Sequence, residues 1–282
     1  MSYPIYPCLW FDGNAKEAAE FYCTVFPNTV ITAENPMVVM FESAGQKFML
    51  LNGGPHFKLN PSVSFYVVFE TVAEVDKTWE SLFEGGSALM PLDKYDWSEK
   101  YGWVQDKFGV NWQLSTGKME DVGQKFTPSL MFTNAQAGKA EQAVQFYTSV
   151  FDGSSVTGIM RYSASDPDIE GTVKHAQFRL GEQVFMAMDS SFPHVFNFNE
   201  AISFVVNCET QEEIDYYWEK LSAVPEAEQC GWLKDQFGVS WQLVPNILGK
   251  LMSNPSKSER VVNSFMQMKK FDIEKLLQAY KD

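Results

Sequence analysis

The stretch Tyr101-Gly-Trp-Val-Gln-Asp-Lys-Phe-Gly-Val-Asn-Trp-Gln-Leu114 is written again, with few changes, as Cys230-Gly-Trp-Leu-Lys-Asp-Gln-Phe-Gly-Val-Ser-Trp-Gln-Leu243. A repeat this specific means that the chain folds as two copies of one module. Other anchors agree. Phe21-Tyr22 and Phe146-Tyr147 recur, each followed by a Val-Phe at Val25-Phe26 and Val150-Phe151, and Thr71 and Trp79 match Thr210 and Trp218. The separation between counterparts changes from anchor to anchor, which places the insertions in loops. The repeat divides the chain into residues 1–120, residues 121–247 and a tail, 248–282.

Within each copy the periodicity repeats in the same order. Residues 5–11 are apolar and bounded by prolines, as a strand is. Residues 14–26 place Ala15, Ala18, Ala19, Phe21, Tyr22 and Phe26 at helical spacing, with Asn14 as the expected N-cap. Strands follow at 37–42 and 47–51 around a turn at Gly45. A strand at 62–69, a helix at 73–83 and a hairpin of 101–105 with 111–115 complete the copy, Asp106-Lys-Phe-Gly109 closing the hairpin. The class is α+β: sheets with helices on one face and the other face free to enclose a cleft.

The charge narrows the partners. With 22 basic against 36 acidic residues, the net charge is −14 over 282 residues. Such a chain is a poor match for nucleic acid or an anionic membrane, both of which need basic surface. Cys8, Cys23, Cys208 and Cys230 form no CxxC pair. The N-terminus has no secretory pattern and no apolar run is long enough to cross a bilayer. The expectation is a cytoplasmic protein with free thiols.

The unit order, the Phe-Tyr at the first helix end and the Gly-Trp…Asp-x-Phe-Gly-Val-x-Trp-Gln phrase together resemble the PhnB-like branch of the vicinal-oxygen-chelate superfamily. Asp12-Gly13-Asn14-Ala15 and Asn52-Gly-Gly-Pro55 fit that branch too. That superfamily includes glyoxalases, extradiol dioxygenases and bleomycin-binding proteins. The resemblance implies two tandem modules, each of two βαβββ units forming curled mixed sheets, and a cleft where enzymes of the superfamily hold a divalent metal. The implied ligand slots fall near Tyr6–Cys8 and Pro128–Leu130, within Met49–Leu51 and Met186–Met188, at Ser62–Ser64 and Ala201–Ser203, and on Gln113 and Gln242. Only the two glutamines could ligate, and neutral amides alone do not hold a dication. No metal or other cofactor is therefore expected. Some relatives carry a ubiquinone-pathway methyltransferase name, but no Gly-rich strand-to-helix loop exists here for a nucleoside cofactor.

If Gln113 and Gln242 face the cleft, alternation adds Asn111, Ser115 and Ser240, and turns Trp112 and Trp241 toward the helices. Trp10, Trp103 and Trp232 are candidates for contact with a ligand, and Asn52 and Asp189, closing equivalent strands, for hydrogen bonds to it; turn initiation is the simpler role for those two. In the tail, residues 259–281 read as two short amphipathic helices joined near 270–272, packed on the body. The expected function is metal-independent binding of a small, partly apolar molecule. The rivals are an isomerase, lyase or dioxygenase, and an interaction scaffold. The two modules are expected to pair within the chain, with a homodimer permitted but not required.

Overall fold

A computed structural model describes residues 5–281. Two compact units divide the chain, one of Pro7–Ile202 and one of Ser203 onward together with the residues through Tyr6; each is described by itself.

The larger unit opens with β1 (Tyr6–Phe11), α1 (Ala15–Val25), β2 (Thr29–Glu34), β3 (Val38–Ser43) and β4 (Gln46–Asn52). Strands β1 and β4 pair in parallel, and β3 joins β4 to β2 through antiparallel ladders. Helix α1 buries Ala15, Ala18, Ala19 and Tyr22 of the expected face together with Val25, while Phe21 is only half-buried. Asn14 caps nothing with its side chain. The Ala15 amide instead donates to Asn52 Oδ1, 3.0 Å away, at the end of β4.

Next come β5 (Val63–Phe69), α2 (Val72–Phe83), β6 (Ser87–Tyr95), β7 (Ser98–Gln105), β8 (Asn111–Thr116) and the short α3 (Met119–Val122). The second copy begins with β9 (Phe126–Phe132), α4 (Ala140–Val150), β10 (Ser155–Arg161), β11 (Val173–Leu180) and β12 (Gln183–Asp189). These strands form one sheet in the order β10-β11-β12-β9-β5-β8-β7-β6. Its centre is the antiparallel pair β5–β9, so half of one copy and half of the other share a single sheet. One face carries Phe65, Trp112 and Leu114; Trp112 packs on Tyr22 and Phe26, its ring centroid 5.3 and 5.0 Å from theirs. The other face carries the polar residues described below.

The smaller unit holds β13 (Ile202–Cys208), α5 (Gln211–Leu221), β14 (Trp232–Lys234), β15 (Ser240–Pro245), α6 (Ile247–Met252), α7 (Pro255–Phe265) and α8 (Ile273–Lys281). β15 pairs in parallel with β13 and antiparallel with β14. Where a third strand was expected after α5, the chain makes only a 3-10 turn at Pro225–Ala227. The tail helices pack on this unit. Phe271 is buried, and Gln211 hydrogen-bonds both the Phe271 carbonyl and the Ile273 amide.

Candidate functional site

The most recognisable phrase of the sequence builds a support. Asp106 is buried in the β7–β8 turn, and its Oδ1 accepts the amides of Phe108 and Val110 at 2.8 and 3.0 Å. Its Oδ2 accepts the Trp112 indole and the Tyr22 hydroxyl, both at 2.8 Å. Burial pushes the Asp106 carboxyl above its ordinary range against the pull of these four bonds. Gly109 closes the turn at φ +90°, a conformation that favours glycine. Asp235 repeats the knot, accepting Phe237, Val239 and the Trp241 indole at 2.8, 3.0 and 2.9 Å. Trp112 thus anchors the helix-side core, as alternation foretold, and Trp241 is held by the matching aspartate.

The glutamine that ends the phrase points the other way. Gln113 Nε2 donates to Ser64 Oγ on β5 at 2.8 Å, and the Tyr101 hydroxyl on β7 donates to Gln113 Oε1 at 2.7 Å. Register extends this into a row: Trp103 stands opposite Gln113, Gln113 beside Tyr66, and Tyr66 opposite Thr127. Paired residues share a face of the sheet, so the row crosses four strands. Beside it, Ser64 faces Ser129, and Ser129 adjoins Met186. Burial holds the Tyr101 hydroxyl far above its usual range, and raises that of Tyr66 as well. Helix α3 covers part of this face, with Met119 and Val122 packed on Tyr66, Val68 and Met186.

Hydrogen bonding on this face is unfinished. Among the described residues, six buried side-chain polar atoms lack a partner, and Trp103 Nε1, Asn111 Oδ1 and Thr127 Oγ1 are three of them. Their residues are 6 %, 1 % and 0 % exposed. Buried polar atoms are nearly always paired, so three orphans on one sheet face set this face apart from the rest of the core. Among the ionisable groups on this face, Asp93 stands opposite Tyr101 and is exposed, while the cations Arg179 and Lys125 have partners. Arg179 binds Glu182, and the Lys125 ammonium donates to the Val68 carbonyl and lies over the Phe69 ring. Burial lowers the pKa of His175.

The remaining predicted residues divide. Asn52 uses its oxygen on α1 and its amide nitrogen on the Pro36 carbonyl. Asp189, its counterpart, accepts the Gly138, Ala140 and Val173 amides, and so starts α4 as Asn52 starts α1. Trp10 lines a separate cleft of about 500 Å³ with Phe57 and Phe108; its indole donates to the Gly54 carbonyl at 2.7 Å. In the smaller unit Gln242 donates to Ser203 at 2.9 Å, Trp232 stands opposite Gln242, and Ser240 Oγ is unpaired. Sequence reasoning missed Tyr101 and Thr127. Alternation from Trp103 offered the first; nothing local offered the second, which depends on the β5–β9 register.

The family described as 3-demethylubiquinone-9 3-methyltransferase matches residues 4–115 and 124–244. The chain belongs to this family. It is similar to a PhnB protein from Bacillus cereus that carries the same methyltransferase description, at 34% identity over 40% of this chain and 98% of that one, with a TM-score of 0.38. Glyoxalase I from Zea mays, at 11% identity, covers 89% of this chain and 97% of its own with a TM-score of 0.57, a likeness of fold. No curated protein matches the chain. The chain therefore carries two tandem modules of this family, and its fold is that of glyoxalase I.

Neither group suggested by this kinship fits the residues present. Of the stretches that the resemblance gives as metal slots, register brings Ser129, Met186, Ser64 and Gln113 together on this face of the eight-stranded sheet. They offer two hydroxyls, a thioether and an amide oxygen already bonded to Tyr101, with no anionic ligand for a dication. A nucleoside cofactor fares no better at the crossover helices. Their first amides are taken by Asn52, Thr71, Asp189 and Thr210. No helix among the described residues is long and apolar enough to cross a membrane.

Proposed function

We propose that this PhnB-like chain binds a small, partly apolar molecule, without a metal ion, on the polar face of the eight-stranded sheet. One observation carries the reading: Trp103 Nε1, Asn111 Oδ1 and Thr127 Oγ1 are buried on that face without partners. Leaving such atoms unpaired costs about 1–3 kcal/mol each, and a ligand that bonds them recovers part of that cost. Tyr66, Met119 and Met186 supply the apolar contact beside them. The neutral donor set at the metal slots supports binding by hydrogen bonds and packing.

Native mass spectrometry of protein purified without chelator tests the proposal. A co-purifying organic molecule, lost in Trp103→Phe and retained after metal removal, is the expected result. Stoichiometric metal with no organic ligand would overturn it. The methyltransferase description of the Bacillus cereus relative makes methyl transfer a direct comparison: incubation with a methyl-donor nucleoside should give no thermal stabilisation.

A further inference from the structure

The chemistry of the three orphans, together with the charge of the face around them, specifies more than a partly apolar ligand. This step rests on the binding reading above. We infer that the site takes an uncharged molecule bearing both a hydrogen-bond acceptor and a hydrogen-bond donor, a hydroxy ester or hydroxy ketone in class, and rejects the corresponding carboxylates.

The requirement for both polarities follows from the atoms. An indole N–H only donates, so Trp103 needs an acceptor. The Asn111 amide nitrogen already donates to the Gly109 carbonyl, and it is the oxygen that is left, so Asn111 needs a donor. Thr127 Oγ1 accepts either. Trp103 stands opposite Gln113, and Asn111 is two residues from Gln113 along β8. One strand spacing and two residue rises separate their backbones by about 8 Å. The two residues are close enough for an acceptor and a donor carried by one small molecule.

The exclusion of charge follows from what surrounds them. Gln113, Ser64, Ser129, Tyr101 and Ser115 are all buried and all neutral. A carboxylate placed among them keeps no counter-ion, and burying an unpaired charge costs far more than dipoles of this kind return. The cations at the margin are committed. Arg179 is paired with Glu182, the Lys125 ammonium donates to the Val68 carbonyl and is already balanced by the nearby Glu74 and Glu70 carboxylates, and burial favours the neutral form of His175.

Matched ester and acid pairs make the test. Alkyl 4-hydroxybenzoates and 4-hydroxybenzoate itself would be titrated into the intact chain by calorimetry, with Trp103→Phe and Thr127→Val run in parallel. Thr127→Val is close in shape and removes only an unpaired hydroxyl, so it keeps the test valid if Trp103→Phe fails to fold. The expected result is ester binding at least tenfold tighter than acid binding, weakened about tenfold by either variant. Acids that bind as tightly as esters, with the same loss in the variants, would overturn the inference and leave the binding reading standing. Binding of neither class, or binding untouched by both variants, would overturn the two together.

Discussion

The second half of each copy carries the same phrase and puts it to different use. In the first copy, Tyr101 reaches across the sheet to hold Gln113, and β6 runs along β7 as its neighbour. In the second copy Cys230 stands at the Tyr101 position, at φ 51°, with its thiol donating to the Phe265 carbonyl in the tail. No β6 exists there. The amides of Cys230 and Gly231 donate instead to the carbonyls of Met268 and Lys269 at 2.8 and 2.7 Å. Even the glycines tell the difference: a Cβ on Gly102 would strike Trp79 of α2, and one on Gly231 would strike Phe271 of the tail. The Asp knot and the serine that accepts from the glutamine are common to both copies, while the tyrosine that holds the glutamine oxygen is not. The knot is the scaffold of the module, and the strand beside the glutamine is where one copy built a polar site and the other a seat for its tail.

The strongest way to break this comparison is to remove the knot. Asp106→Ala strands two backbone amides, an indole and a phenol, and should cost about 4 kcal/mol in urea unfolding, near the upper end for one substitution. Asp235→Ala should cost a similar amount, because its three bonds repeat the pattern. A loss below 1 kcal/mol in either copy would mean that the phrase is not a scaffold there. Next in size is the tail. Phe271→Ala removes a buried ring from Gly231 and should cost about 3 kcal/mol, as large-to-small core changes do. If stability is unchanged, the tail is an appendage and the comparison loses one side. Smaller again, Thr127→Val should raise the stability of the ligand-free chain by about 1 kcal/mol, since it deletes an unpaired buried hydroxyl. Ser240→Ala, which removes another unpaired buried hydroxyl in the smaller unit, should act the same way, and a fall in either variant would show a bonding partner for that oxygen.

Much of this architecture was legible because period and repeat are local properties. Helix α1 and strands β5 and β8 stand within a residue or two of where their spacing put them, and β7 begins three residues earlier than expected. Strands β2 and β6 were missed because both are largely exposed and so show no apolar alternation. Asn52 and Asp189 read as turn residues or ligand contacts, yet each caps a helix far away in sequence, a relation no local pattern encodes. The site was half legible. Gln113 and Trp103 follow from the phrase and its alternation, whereas Thr127 joins them only because β5 of one copy pairs with β9 of the other.

The smallest expected effect is one of pH, and it tests the knot without cutting it. Burial raises the Asp106 carboxyl above its ordinary pKa. The folded chain therefore holds this proton more tightly than the unfolded chain does. Between the ordinary and the raised value the folded state carries more protons, so the contribution of Asp106 to stability is full below that window. It falls as pH rises through the window and is level above it. Asp106→Asn cannot ionise and has no such fall. The cost of the variant, measured by urea unfolding from pH 3 to pH 7, should be greatest at the acid end and decline to a plateau. A cost that grows with pH would mean that the four donors outweigh burial and that the carboxylate is the favoured form. Running Asp235→Asn beside it asks whether two knots with matching bonds share their electrostatics, or whether the copies have diverged there too.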